Sequence, residues 1–285
     1  MNLEKWHSPD QEILSAYKAL AELSHFEIGG FSELLVEIYY SLILSNPLLT
    51  GDAIDAGANV GRHASRLTLL TSLNEKRTLI IEPNVDLHPI IRANCEAEQC
   101  HNFVLLPNAV ARVGGQILEF SVFDDIQISA LKENMNTVHA QKTPEKMLLV
   151  ETITLAQAIS NHQLAPAFIK LDIEGRDFET LADMVQMLDT YRPFIVAELV
   201  PTDAPSEPEL IDLLKLYSEK NYVCVDGFGM VYNRYSWVYR DSFIYWNRFF
   251  IPGEYAALVL PSFRKMVREL WFTLPVMQNA LPVFA

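Results

Sequence analysis

The sequence predicts an α/β fold: a doubly wound, mostly parallel sheet with an antiparallel edge, preceded by helices. Three observations carry this. Short apolar runs end in carboxylates at Asp55, Glu82 and Asp172, as buried strands do when their carboxyl ends gather at one rim. Between the runs, apolar residues recur at helical spacing, as at Ala64, Leu67, Leu70 and Leu73. Gly57 and Gly61 punctuate the first strand-to-helix passage, where close backbone approach or a positive φ excludes a Cβ.

In chain order, residues 10–45 read as two helices. Ile13, Leu14, Tyr17, Leu20 and Leu23 line the first, and Leu34, Leu35, Ile38 and Leu42 the second; Gly29-Gly30 parts them and Pro47 closes the second. They serve as a cap over a ligand site or as a packing layer. Strands follow at 52–56, 78–82 and 102–107, with a helix between each pair. Gly114-Gly115 reads as a hairpin turn between Asn108–Ala111 and Gln116–Phe123. Asp124 to Pro144 reads as a long irregular loop of the functional or mobile kind. Next come a strand at 148–154, a helix from Leu155 to Asn161, a strand ending at Asp172, a helix at 176–188 and a strand from Phe194. A helix at 208–219 and strands at Tyr222–Asp226, Met230–Asn233 and Ser242–Trp246 form the antiparallel edge, and a helix at 262–274 ends the pattern. The expected domains are a helical cap at 1–50, a ligand-binding domain at 51–250 and a helical extension at 251–285.

The chemistry starts at the turn Asp55-Ala56-Gly57-Ala58-Asn59-Val60-Gly61. Asn59 tolerates a left-handed backbone best among non-glycine residues. A dinucleotide fingerprint carries a third glycine and takes a pyrophosphate; here Asp55 would repel one, yet it suits a ligand bearing an ammonium. S-adenosylmethionine has an ammonium, a sulfonium and no phosphate. Glu82, at the end of the second strand, stands where a carboxylate accepts both hydroxyls of a ribose. The bland alternatives are a turn without a ligand and a helix-capping Glu82. For Asp172 and Glu174 the bland alternative is pairing with Lys170 or Arg176.

Asp55-x-Gly57-x-Asn59-x-Gly61, Glu82-Pro83-Asn84 and Lys170-Leu171-Asp172-Ile173-Glu174-Gly175 together resemble the FkbM family of S-adenosylmethionine-dependent methyltransferases. The likeness runs from about Gly51 to Val200, in the right order, and the lysine-led motif is its most specific piece. It implies the class I methyltransferase (Rossmann-like) fold, S-adenosylmethionine as methyl donor, and transfer commonly to a hydroxyl. It places Asp55, Gly57, Asn59, Gly61, Glu82, Asn108, Ala109, Ser129 and Asp172 at the cofactor, with Asn108 and the Ala109 backbone beside the adenine. Asp172 and Glu174 become the candidates for general base or for orienting the acceptor hydroxyl. His63 is another candidate base, or a helix-surface histidine. A divalent ion could assist, with Asp172, Glu174 and Glu198 as conceivable oxygen ligands, but that spacing is too generic to commit to a metal.

The composition bounds the rest. The chain has 285 residues, 50% of them hydrophobic and 20% charged, which suits a globular protein. A net charge of −14 without a dense Lys/Arg run argues against nucleic acid. Cys95, Cys100 and Cys224 make neither a disulfide framework nor a zinc spacing. No signal-like start and no long apolar span is seen, so a cytoplasmic location is expected. Tyr232, Tyr235, Trp237, Tyr239, Phe243, Tyr245, Trp246, Phe249, Phe250 and Tyr255 crowd a short span: a stacking pocket for a small-molecule or glycan acceptor, core packing, or a homodimer contact. Sugars, lipids and secondary metabolites all remain open as acceptors. The rivals to an O-methyltransferase are a non-catalytic scaffold on the same fold and a nicotinamide oxidoreductase.

Overall fold

The computed structural model describes residues 31–123, 129–131, 143–199, 206–227, 229–232 and 246–273. The first expected helix, the tail prolines Pro275 and Pro282, and Tyr235, Trp237, Tyr239, Phe243 and Tyr245 lie outside them. The chain forms two compact units. One holds residues up to Leu42, Glu198–Pro201 and Pro205 onward; the other holds Ile43–Ala197 with Thr202–Ala204.

In the second unit, short runs of apolar residues give β1 (Asp52–Ala56), β2 (Thr78–Ile81), β3 (Phe103–Leu106), β8 (Pro166–Leu171) and β9 (Phe194–Glu198). All pair in parallel, in the order β9-β8-β1-β2-β3. Ala53, Ile54 and Ala56 are wholly buried, as are Leu79 and Ile80, because helices cover a parallel sheet on both faces. The winding runs outward from β1 in one direction through β2 and β3, and in the other through β8 and β9. The reversal between β1 and β8 leaves a crevice at their carboxyl ends, which is where open α/β sheets bind ligands.

Helix α2 (Arg62–Ser72) follows β1, and α3 (His88–Ala97) follows β2. Ala64 and Leu67 are buried as expected, but Leu73 is exposed and Thr68 and Thr71 take the inner face instead. Their hydroxyls donate to the carbonyls of Ala64 (2.7 Å) and Leu67 (3.0 Å), so two polar side chains pack as if apolar.

The expected hairpin at Gly114-Gly115 is corrected. A separate four-stranded sheet has the order β4-β7-β5-β6, with β4 (Asn108–Val110), β5 (Ile117–Val122), β6 (Ala130–Leu131) and β7 (Lys146–Ile153). Strand β7 is parallel to β4 and antiparallel to β5, so it lies between the two strands expected to pair. Thr152 explains this. Its N–H donates to Gln116 O, its carbonyl accepts from Gly115 N–H, and its hydroxyl takes Gln116 N–H and gives to Val113 O. Those groups would otherwise serve a hairpin.

Helix α4 (Leu155–Asn161) begins on a capping box at Thr154 and Gln157. The expected helix 176–188 divides into α5 (Asp177–Met184) and α6 (Leu188–Tyr191), the latter ending on a left-handed Arg192 with φ of 52°.

In the first unit, β10 (Tyr222–Val225) and β11 (Asn247–Pro252) pair antiparallel beside α7 (Glu207–Glu219). The strand expected at Met230–Asn233 is a single bridge, Val225 to Val231. Helix α8 starts at Gly253 and runs through Pro261 to Thr273, whereas the sequence reading began it after that proline. Tyr39, on α1 (Phe31–Leu44), packs on Phe249 and Phe263 with ring centroids 4.8 and 5.5 Å away, and donates its hydroxyl to Phe250 O. Tyr232, Phe249 and Phe250 are therefore core residues, the bland reading of that part of the aromatic cluster. Among the described residues, no helix is long and apolar enough to cross a membrane.

Candidate active site

Strand β1 ends with Asp55 fully buried, and the chain then turns through Gly57 (φ 79°), Asn59 (φ 51°) and Gly61 (φ 81°) into α2. At Gly57 a Cβ would stand 1.7 Å from the Asp172 carbonyl oxygen, so glycine is obligatory there. The Gly57 and Ala58 N–H groups bond to Ile81 O, and Asp172 N–H bonds to Ala56 O. The turn is thus fastened to the carboxyl ends of both neighbouring strands.

Glu82 is almost wholly buried and clasps the turn. Its Oε2 accepts the Asn59 N–H and its Oε1 the Asn84 N–H, each at 2.8 Å. Burial pushes its carboxyl up to about 7, against the pull of those two N–H groups. Burial also raises Asp55, opposed by the charges of Lys170 and His63. The His88 ring donates Nε2–H to Glu82 O at 2.8 Å, which fixes the strand end from the other side.

Asp55 and Lys170 face each other across the β1–β8 register. The Lys170 ammonium, itself buried, is 3.5 Å from Asp55 Oδ1 and 3.0 Å from Asp172 Oδ2. Asp172 is half-buried at the rim. Strand β8 stops at Leu171, and Glu174 (φ 49°) and Gly175 (φ 92°) turn left-handed, so the alternation along β8 does not continue to Glu174. Asp177, at the start of α5, is buried; its Oδ2 accepts the Ile173 N–H and ties this loop down. Burial, then the Asp172 charge, holds Asp177 well above the usual carboxylate range.

Asp55, Gly57, Asn59, Gly61, Glu82 and Asp172 thus come together at one rim. Asn108, Ala109 and Ser129 belong to the four-stranded sheet and its approach. Asn108 Nδ2 donates to Glu151 O, Ala109 is core and registers with Thr152, and Ser129 Oγ accepts the Phe123 N–H. His63 is buried rather than on the helix surface. Lys170 was legible only as an ion-pair partner and Asp177 not at all, because an acid opening a helix is commonplace. The signal for Lys170 lay in its place: a lysine inside an apolar strand has to meet a carboxylate.

The segment matched by the methyltransferase FkbM domain runs over residues 55–224, from the acid of the turn to β10. None of the curated proteins matches the sequence significantly. Among solved structures, the chain is similar to a methyltransferase FkbM from Methylobacillus flagellatus (13% identity, TM-score 0.43, covering 82% of this chain and 57% of that one). It is also similar to a precorrin-6y C5,15-methyltransferase from Geobacter metallireducens (12% identity, TM-score 0.39, 68% and 73% covered). A third is an O-methyltransferase from Bacillus cereus in complex with SAH (15% identity, TM-score 0.32, 78% and 86% covered). The matched domain takes in more than half of the chain, with the glycine turn, the clasping glutamate and the lysine-led loop all inside it, and the chain belongs to the FkbM methyltransferase family.

Proposed function

We propose that the chain is an S-adenosylmethionine-dependent O-methyltransferase acting on a hydroxyl of a sugar, lipid or secondary metabolite. The observation that carries this reading is the pair of acids at the ends of adjacent strands, Asp55 and Glu82, with Glu82 bonded to the glycine turn through the Asn59 N–H. The residues fit such a donor. Both Asp55 oxygens are buried and accept no well-formed hydrogen bond among the described residues, so an ammonium would complete them. Each Glu82 oxygen accepts one N–H and keeps capacity for one ribose hydroxyl. The lack of a Cβ at Gly57 and Gly61 lets the Asp172 carbonyl and Ile91 pack directly against the turn. In this reading Asn108, through its side-chain carbonyl, and the Ala109 backbone serve the adenine end, and Ser129 lies near the cofactor.

When bound, S-adenosylmethionine supplies a methyl made electrophilic by its sulfonium, so the protein needs no covalent nucleophile. The protein's own work is alignment and proton removal. Asp172 and Glu174 sit on the loop beside the turn; one orients the acceptor hydroxyl and the other takes its proton. Burial of Asp55 and Glu82 keeps bulk water from competing for the donor's polar groups.

Calorimetry with S-adenosylmethionine and its demethylated product tests this. Wild type should bind at micromolar strength, on the order of −8 kcal/mol, and Glu82→Ala should bind clearly more weakly. Equal affinity removes the ribose assignment, and no binding by wild type overturns the reading. With an acceptor in hand, Asp172→Asn should keep donor affinity and lose turnover. Donor binding without turnover on any hydroxyl compound would favour the scaffold.

A further inference from the structure

Lys170 is a buried cation with two carboxylates in reach, and the proposed reaction alone gives it no part. The β1–β8 register sets it opposite Asp55, on the same face of the sheet. Its ammonium lies 3.5 Å from Asp55 Oδ1 and 3.0 Å from Asp172 Oδ2. Other groups face this cluster: Glu82 at the end of β2 and Asp177 on α5 both feel Lys170, the Glu174 carboxylate lies within 4.8 Å of that of Asp172, and His63 on α2 acts on Asp55. Asp55, Glu82 and Asp177 are almost wholly buried, as is Lys170. A carboxylate buried without a cation takes up a proton rather than bear the desolvation cost.

Resting on the donor reading above, we propose that Lys170 is a positioning residue whose single ammonium locks Asp55 and Asp172 into one unit. It holds Asp55 charged at the foot of the turn to receive the donor's ammonium, and it fixes Asp172 beside the acceptor. The donor side and the acceptor side of the site are set by the same group. A merely structural lysine would hold the two strands together and leave the pH dependence of donor binding alone.

Three variants test this: Lys170→Met, which keeps the stem and removes the charge, Lys170→Arg, and the double variant Lys170→Met/Asp55→Asn. Lys215→Met, at an exposed lysine paired with Asp212 on α7, is the control. In urea unfolding without donor, Lys170→Met should lose stability, more at about pH 8 than at about pH 6, because the uncompensated Asp55 charge grows with pH. The double variant should recover at least half of that loss, since removing both charges leaves none buried alone. In calorimetry with S-adenosylmethionine, Lys170→Met should bind about tenfold or more weakly than wild type near pH 6.5, with the deficit shrinking near pH 8 as Asp55 ionises. Lys170→Arg should stay within about threefold. A folded Lys170→Met that matches wild-type donor affinity at both pH values overturns the proposal, as does failure of Asp55→Asn to restore stability. If Lys170→Met does not fold while the double variant does, the proposal is supported. Wild type that fails to bind S-adenosylmethionine ends the donor reading instead, and the unfolding experiments then decide the role of Lys170.

Discussion

Asp52 and Asp55 lie on the same strand at opposite rims of the parallel sheet, and their surroundings have little in common. At the amino rim, Asp52 Oδ1 accepts the Arg77 N–H at 2.9 Å and Oδ2 accepts the Ala165 N–H at 2.8 Å. The Arg77 guanidinium reinforces that rim through the carbonyls of His162 and Gln163. At the carboxyl rim, no such amide reaches Asp55 among the described residues; the Lys170 ammonium lies 3.5 Å away, under a turn of left-handed residues. A carboxylate becomes a strut where backbone donors converge on it. It stays available for a ligand where glycines and a helix start draw the backbone away.

The largest effect that would sharpen this contrast is expected from Gly57→Ala. Its Cβ would run into the Asp172 carbonyl at a positive φ, costing about 3 kcal/mol or more from the left-handed penalty and overpacking together. Urea unfolding should show the loss, and calorimetry the accompanying loss of donor binding. Asp52→Ala comes next. It leaves two buried amides unpaired, worth roughly 2–4 kcal/mol in all, yet the folded protein should bind donor like wild type; a changed donor affinity would break the division between the rims. Glu82→Ala should weaken donor binding by roughly ten- to a hundredfold, about 1.4–2.7 kcal/mol, as read by calorimetry.

Asp55→Asn should lose donor affinity while being no less stable than wild type near pH 8. The sign follows from burial: a carboxyl raised in the fold contributes stability below its unfolded value and loses it as pH climbs through the folded one. The smallest effect is the pH slope set by Glu82, raised from 4.5 to about 7. Stability should fall between about pH 5 and pH 8, and Glu82→Gln should flatten that fall. Ribose hydroxyls donating to Glu82 favour its ionised form, so donor binding near pH 7 should release a fraction of a proton. Calorimetry in buffers of different ionisation enthalpy measures it.

The carboxyl rim was largely legible in the sequence because its residues are chemically odd for their places. Asp55, Glu82 and Asp172 end apolar strands, and Gly57 and Gly61 interrupt a pattern that alanine would have continued. What escaped was set by tertiary partners. Thr152 reroutes a hairpin through four hydrogen bonds that no local pattern announces. Thr68 and Thr71 pass for solvent-facing residues until their hydroxyls are seen to bond within their own helix. The expected helix at 262–274 begins nine residues earlier, at Gly253, because α8 continues through Pro261. Asp177 was hidden for a different reason: its importance lies in burial, and an acid at a helix start is ordinarily solvated.

The missing Cβ at Gly57 has a mechanical consequence. The backbone oxygen of Asp172 fills the space a side chain would need, so the turn rests directly on the main chain that carries Asp172. If the turn holds the donor and Asp172 meets the acceptor, as proposed, any adjustment that admits a bulkier donor must also move that acid, and the two halves of the reaction form a single rigid jig.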